Sequence, residues 1–245
     1  MMSSAQSGAR RKPPAQRRAE ITGAAAEIAL AEGLERITLR LVASRLDVRP
    51  GLISHYFPAV DDLIAAAFAE AVAGERARLL GSTGSPLGRL AHFTATVQDA
   101  DARDLSRLWL NARHLSRFND ALAASLETQE AIDRDELTAI IAAGIATGDF
   151  AAKDPAAAAV RILIAVDGFG AYANDREVFE EPAYTSFVAD VAEWALGLES
   201  GALAEASAAT GSDGSTATGP GRSRLTAPDH GDFDAGTAQT ASARS

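Results

Sequence analysis

Between residues 21 and 198, apolar side chains recur at intervals of three and four, the spacing that lines one face of an α-helix. Ile21, Ala24, Ala25, Ile28 and Ala29 form the first stripe. Gly33 after Glu32 predicts a left-handed stop, with Leu34 folding back onto the last turn. Thr38 reads as an N-cap for a short helix whose inner face carries Val42 and Leu46, with Ala43 leaving room for a crossing neighbour. The pattern breaks at Asp47-Val48-Arg49. Pro50 then opens another short helix, since its missing N–H would have no partner in a first turn. Ile53 and Phe57 point inward from that helix, which leaves Gly51, Leu52, Ser54, His55 and Tyr56 facing out. A fourth helix starts with Asp61 and Asp62, carboxylates suited to the positive end of the dipole, and carries an apolar face of Leu63, Ile64, Ala67, Phe68, Ala71 and Val72.

The helical period continues to residue 198. Pro86 opens a helix with Leu87, Leu90, Ala91, Thr94 and Val97 on one side. Residues 101–118 are apolar on two stripes, one of Leu105, Leu108, Trp109 and Ala112, the other of Leu110, His114 and Phe118, which predicts a buried helix. A long helix follows from Asp120 to about Ala146, ended by Gly148. Asp154-Pro155 starts the next, through Val160, Leu163, Ile164 and Val166 to about Tyr172. The last stripe is Tyr184, Phe187, Val188, Val191, Trp194, Ala195 and Leu198. No strand alternation interrupts this series. The expected fold is all-α, with about nine helices: an N-terminal three-helix bundle containing a helix-turn-helix, followed by a larger helical domain. From 204 onward the only large apolar side chains are Leu225 and Phe233, too little apolar surface to offset ordering entropy. The expected boundaries are a disordered basic arm over 1–14, a helix-turn-helix domain over 15–74, a larger helical domain over 75–198 and a disordered tail over 199–245.

A short helix with a small, polar and aromatic outer face, set behind a capped partner helix, suits the DNA major groove. The run from Arg17 to about Gly74 resembles the DNA-binding domain of the tetracycline-repressor (TetR) family of bacterial regulators. The matching positions are Ile21, Ala24, Ala25, Gly33, Thr38, Val42, Ala43, Val48, Tyr56, Phe57 and Leu63. Residues 51–57 and 144–150 further resemble the subgroup around the choline-responsive repressor BetI. The chain departs from the family pattern at Asp47, where Gly is usual, and at Arg49, where Ser or Thr usually caps. It also has Val60 in place of a phosphate-binding Lys, and Ser54 in place of a common Tyr. Arg49 reads as a substitute for the missing cation. The expected DNA-binding set is Thr38, Arg40, Arg49, Pro50, Gly51, Leu52, Ser54, His55 and Tyr56.

Charge divides the chain in the same way. Residues 1–60 hold nine Lys/Arg and five acids, net +4, whereas the whole chain is −10 and the remainder therefore −14. Phosphate contact is local, screened within roughly 8–10 Å, so a basic end can dock while an acidic body is repelled. Hydrophobic residues make up 47% of the sequence, enough for a sizeable core. With no cysteine, disulfides and thiolate metal sites are excluded. No apolar run approaches the roughly 20 residues that cross a bilayer, and the expected location is the cytoplasm.

The resemblance implies a homodimer on a double-stranded operator, with a small-molecule effector held among the middle helices. The broad apolar stripes of the two last helices suit a four-helix interface, nominated as Val160, Leu163, Ile164, Phe187, Val191 and Trp194. For the effector site the candidates are Phe93, Trp109, Asn111, His114, Phe118 and Asp167, aromatic walls with polar groups that could orient a ligand. Each of these could equally serve the core or a structural bond. The four His at 55, 92, 114 and 230 are scattered, so neither a metal site, a cofactor nor a catalytic triad is expected. Gly144-x-x-x-Gly148 lacks the strand and Lys of a phosphate loop and reads as close packing plus helix termination. A helical adaptor without specific DNA recognition stands as the alternative.

Overall fold

The computed structural model describes residues 12–81, 83–99, 102–174 and 181–213. Among them are eleven α-helices, one 3-10 turn and no strand. In order they are α1 (Pro14–Glu32), the 3-10 turn (Leu34–Arg36), α2 (Leu39–Arg45), α3 (Pro50–Tyr56), α4 (Val60–Leu80) and α5 (Pro86–Val97). Then come α6 (Arg103–Leu115), α7 (Asp120–Thr147), α8 (Pro155–Ala173), α9 (Pro182–Thr185), α10 (Phe187–Leu196) and α11 (Ala202–Asp213).

Most helix starts follow local chemistry. Side chains of Thr38, Ser85, Asn119 and Asp154 each accept a bond from a first-turn N–H, at 2.9–3.1 Å. Gly148 closes α7 in the left-handed conformation, φ 84°. Four residues earlier, Gly144 lets the Phe150 ring lie against the helix, where a Cβ would collide with it. Gly33 differs from expectation. It ends α1 at φ 104°, ψ 155°, an extended mirror conformation open essentially to glycine, because the chain must turn sharply to bury Leu34.

The apolar faces close two cores. The first joins α1–α4 (Ile21, Ile28, Val42, Ile53, Phe57, Leu63, Phe68) to Leu108 and Ala112 of α6 and to Leu122 and Leu126 of α7. The second gathers the end of α4, α5, the latter half of α7, α8 and α10. Helix α4 passes residue 74 without a break, so no linker separates the two cores.

Three further expectations are corrected. Helix α6 is not buried all round: Leu108 and Ala112 are, but Leu110 is exposed and Phe118, three residues past the helix end, keeps 78% of its surface, because that stripe joins neither core. The tail expected from 199 contains α11, which packs on α5 through buried Leu203. Composition missed it because its anchor lies in α10. The buried Glu193 carboxylate accepts the N–H groups of Gly201 and Leu203, both at 2.9 Å, and serves as cap for a helix eight residues away. The expected arm over 1–14 lies largely outside the described residues, as does the chain beyond 213. Finally, α8 is long and apolar enough by composition to cross a membrane; here Ala158, Ala159, Ile162, Ala165 and Phe169 are its buried row within the bundle.

Replacing Glu193 by Ala should therefore cost about 2–3 kcal/mol, two bonds to a charged acceptor, and should lower the urea m-value as α11 frays. Urea unfolding followed by circular dichroism with unchanged midpoint and slope would show that α11 is held by other means.

Candidate nucleic-acid interface and internal cavity

Between α2 and α3 the chain reverses in four residues. Asp47 sits at φ 51°, the one positive-φ position among the described non-glycine residues, and Val48 N–H returns to Ala43 C=O at 2.9 Å. Asp tolerates the left-handed region better than most side chains, which explains how it can stand where the family resemblance expects Gly. Arg49 occupies the N-cap of α3 but makes no cap bond; its extended backbone is what a following Pro requires. Its guanidinium is thus left to solvent.

Buried Ile53 and Phe57 fix which side of α3 turns outward. Gly51, Ser54 and His55 are exposed, and Leu52 and Tyr56 half-buried. Ser54 Oγ donates to Pro50 C=O at 3.2 Å, and the His55 and Tyr56 rings meet edge-to-face. A Cβ on Gly51 would touch nothing. Arg18 of α1 holds the far end: it donates to Tyr56 C=O at 3.0 Å and lies 4.1 Å from the Phe57 ring centroid. Nothing in the local sequence pairs Arg18 with a position 38 residues away. Arg17, Arg36 and Arg45 face Glu20 or Glu32. Arg40 and Arg49 are exposed and have no ion pair among the described residues. Their charge is available to a phosphate.

That outer face belongs to a recognised unit. Residues 21–67 match the profile of the bacterial regulatory proteins of the tetR family. The whole described fold is also that of TetR-type structures. A protein described as a TetR-family transcriptional regulator from Rhodococcus sp. superposes with TM-score 0.63 at 22% identity, over 74% of this chain and 99% of that one. A transcriptional regulator from Pseudomonas aeruginosa PAO1 gives 0.60 at 23% identity, over 80% and 96%. A regulator from Saccharomonospora viridis solved in complex with choline gives 0.58 at 19% identity, over 73% and 96%. No curated protein matches this chain.

Behind the TetR-type domain, α4–α8 enclose a cavity of about 270 Å³. Leu79, Phe93, Val97, Leu105, Trp109 and Leu137 supply apolar wall; Arg76, Arg113, Arg134, Glu130, Asp133 and Asp167 supply charge. Of the nominated residues, Phe93, Trp109 and Asp167 line it. Asn111, His114 and Phe118 do not. Asn111 projects from the other side of α6, where its Oδ1 accepts Leu34 N–H at 2.8 Å. His114 and Phe118 pack edge-to-face on the outside of the helix. Periodicity placed the six on three helices but could not say which side of each the bundle would close over.

The nominated interface residues also divide. Val160, Leu163 and Ile164 line the mouth of the cavity, with Ile164 65% exposed. Phe187 and Trp194 lie exposed on α10, and Val191 is half-buried.

Two arginines organise the cavity's polar side. Arg113 bonds Asp167 through both nitrogens, at 2.8 and 2.9 Å, and Glu130 at 3.0 Å, with Trp109 5.5 Å away. Arg76 engages Asp133 and the Gln129 side chain. Loss of water around Asp133 and Asp167 raises both carboxyls above the usual range, and the paired arginine in each case offsets part of that rise. Arg76, Arg113, Glu130 and Asp133 are not legible as site residues in the sequence, because charged residues along a helix read as a solvated face.

Helix α6 touches both sites. Arg107 donates to Leu30 C=O at 2.9 Å and Asn111 caps Leu34, while Trp109 and Arg113 on the same helix line the cavity. Asn111→Ala would strand the Leu34 N–H against a buried side chain, so stability should fall by about 1–2 kcal/mol in urea unfolding. An unchanged midpoint would remove this bond from the link between the two halves.

Proposed function

We propose that this chain is a DNA-binding transcriptional regulator, a repressor that binds a palindromic operator as a homodimer and is released when a small molecule occupies the cavity. The observation that carries the proposal is the outward face of α3 within a TetR-type domain, flanked by the uncommitted Arg40 and Arg49 in an otherwise acidic protein. Thr38, Pro50, Gly51, Leu52, Ser54, His55 and Tyr56 complete the contact set, and the open space at Gly51 favours close approach to the duplex backbone. In this division residues 15–74 serve DNA and residues 75–198 serve effector and partner, in the cytoplasm where the DNA is.

Pairing follows from reach. One short helix makes few base contacts, whereas two about 34 Å apart meet successive major grooves. Exposed Val160, Ile164, Phe187 and Trp194, with Leu163 and Val191 beside them, support a four-helix interface built from α8 and α10 of two copies. Release follows from α6. An effector that shifts Arg113 or Trp109 acts on the helix that holds Leu30 and Leu34, and it lowers operator affinity by its preference for the displaced state, typically 5–150-fold. The choline bound to the Saccharomonospora viridis protein supports a small organic effector. Of the two BetI-like stretches, 144–150 has a packing explanation in Gly144, Gly148 and Phe150, so only 51–57 bears on function.

Two measurements test the proposal. Fluorescence anisotropy with the DNA flanking the chain's own gene, at two salt concentrations, should show specific binding with a steep salt slope. Arg40→Ala and Arg49→Ala should each lower that slope by about one unit; affinity no better than for random DNA would reject the regulator. Sedimentation at micromolar concentration should give a dimer that Ile164→Glu combined with Trp194→Glu converts to monomer. A monomeric parent protein would defeat the pairing.

A further inference from the structure

We infer that Arg18 is a positioning residue for DNA recognition: it ties the far end of α3, and with it His55 and Tyr56, to the frame made by α1 and α4. This rests on the DNA-binding reading above, and it adds a residue that acts through α3 rather than on the duplex.

The need for an anchor follows from size. Helix α3 has seven residues, about 10 Å of axis, and packs chiefly on α2, which is no longer. Its near end is set by the turn at Asp47, where Val48 N–H returns to Ala43 C=O, and no side chain caps it there. Inward it offers Ile53 and, just past its last turn, Phe57. A tilt of about 10° at the near end would carry the far end roughly 2 Å, several times the distance tolerance of a hydrogen bond to a base edge. Helices α1 and α4, by contrast, are nineteen and twenty-one residues long and pack along each other.

Arg18 joins the short helix to that frame. Its Nη1 donates to Tyr56 C=O at 3.0 Å, and this carbonyl accepts no other bond among the described residues. The guanidinium carbon lies 4.1 Å from the ring centroid of fully buried Phe57, so the same group covers the core where α3 ends. Lys12 and Arg17 both face Glu20. Arg18 has no carboxylate partner among the described residues, and its whole charge stands at the carbonyl end of α3.

Fluorescence anisotropy on the full-length protein would compare the DNA flanking its own gene with a random duplex of equal length, at two salt concentrations. Arg18→Ala should weaken the specific complex about tenfold, the effect of misplacing one bidentate base contact, and change random-duplex binding less than about threefold. A phosphate contact would instead weaken both alike and lower the salt slope by about one unit. Arg18→Lys keeps a donor and a cation over the ring, so it should bring specific binding back to within about threefold of the parent. Without DNA, hydrogen exchange followed by mass spectrometry should show the amides of residues 49–57 exchanging at least threefold faster in Arg18→Ala, with those of α8 unchanged. Equal losses on both duplexes, an unshifted preference, no rescue by Lys, unchanged exchange over 49–57, or faster exchange in α8 as well would each overturn the inference. If the parent protein shows no preference between duplexes, the DNA-binding reading falls, and the exchange measurement still decides whether Arg18 holds α3.

Discussion

Helix α6 has to satisfy two neighbourhoods at once, and the rest of the architecture depends on that. Its buried stripe, Leu108 and Ala112, completes the core that α1–α4 begin. Asn111 and Arg107 hold the end of α1 by its last backbone groups. On the opposite side, Trp109 and Arg113 form part of the cavity wall. An α-helix is stiff over two turns, so a displacement felt at Arg113 cannot be absorbed before it reaches Asn111. The close approach of Gly170 to Ser106 removes slack on the α8 side as well.

Charge is distributed with a similar economy of free groups. Several arginines near the N-terminal end are tied to Glu20 or Glu32, which leaves Arg40 and Arg49 as the outward cations beside α3. In the cavity, three arginines and three carboxylates stand among the lining residues, and Arg76 and Arg113 are tied to the carboxylates. An acidic protein can therefore present a local positive face that its net charge conceals.

Much of the fold was legible along the chain. Caps at Thr38 and Asp154, prolines at positions 50, 86 and 155, the stop at Gly148 and the inward pair Ile53 and Phe57 are decided by atoms within one or two turns. The outer face of α3 was legible for the same reason, since knowing which residues are buried also tells which are not. The cavity was only half legible. Phe93, Trp109 and Asp167 were nominated for their chemistry, but so were Asn111, His114 and Phe118, and helical spacing does not say which neighbour each side of α6 will meet. Arg76, Arg113 and Asp133 looked like surface charges until the bundle closed around them.

Local sequence by itself determined where most helices begin and end, which stripe of most is apolar, and which end of the molecule is basic. These are short-range properties, set by backbone donors, side-chain caps and residue spacing. Only the tertiary structure decided that Glu193 would cap α11, that Arg18 would pin α3 to α1, and that Asn111 would hold Leu34 while Arg113 paired with Asp167. Each of those joins groups brought together by the packing of helices, and the Glu193 and Asn111 bonds are further strengthened by the water excluded when the apolar stripes meet.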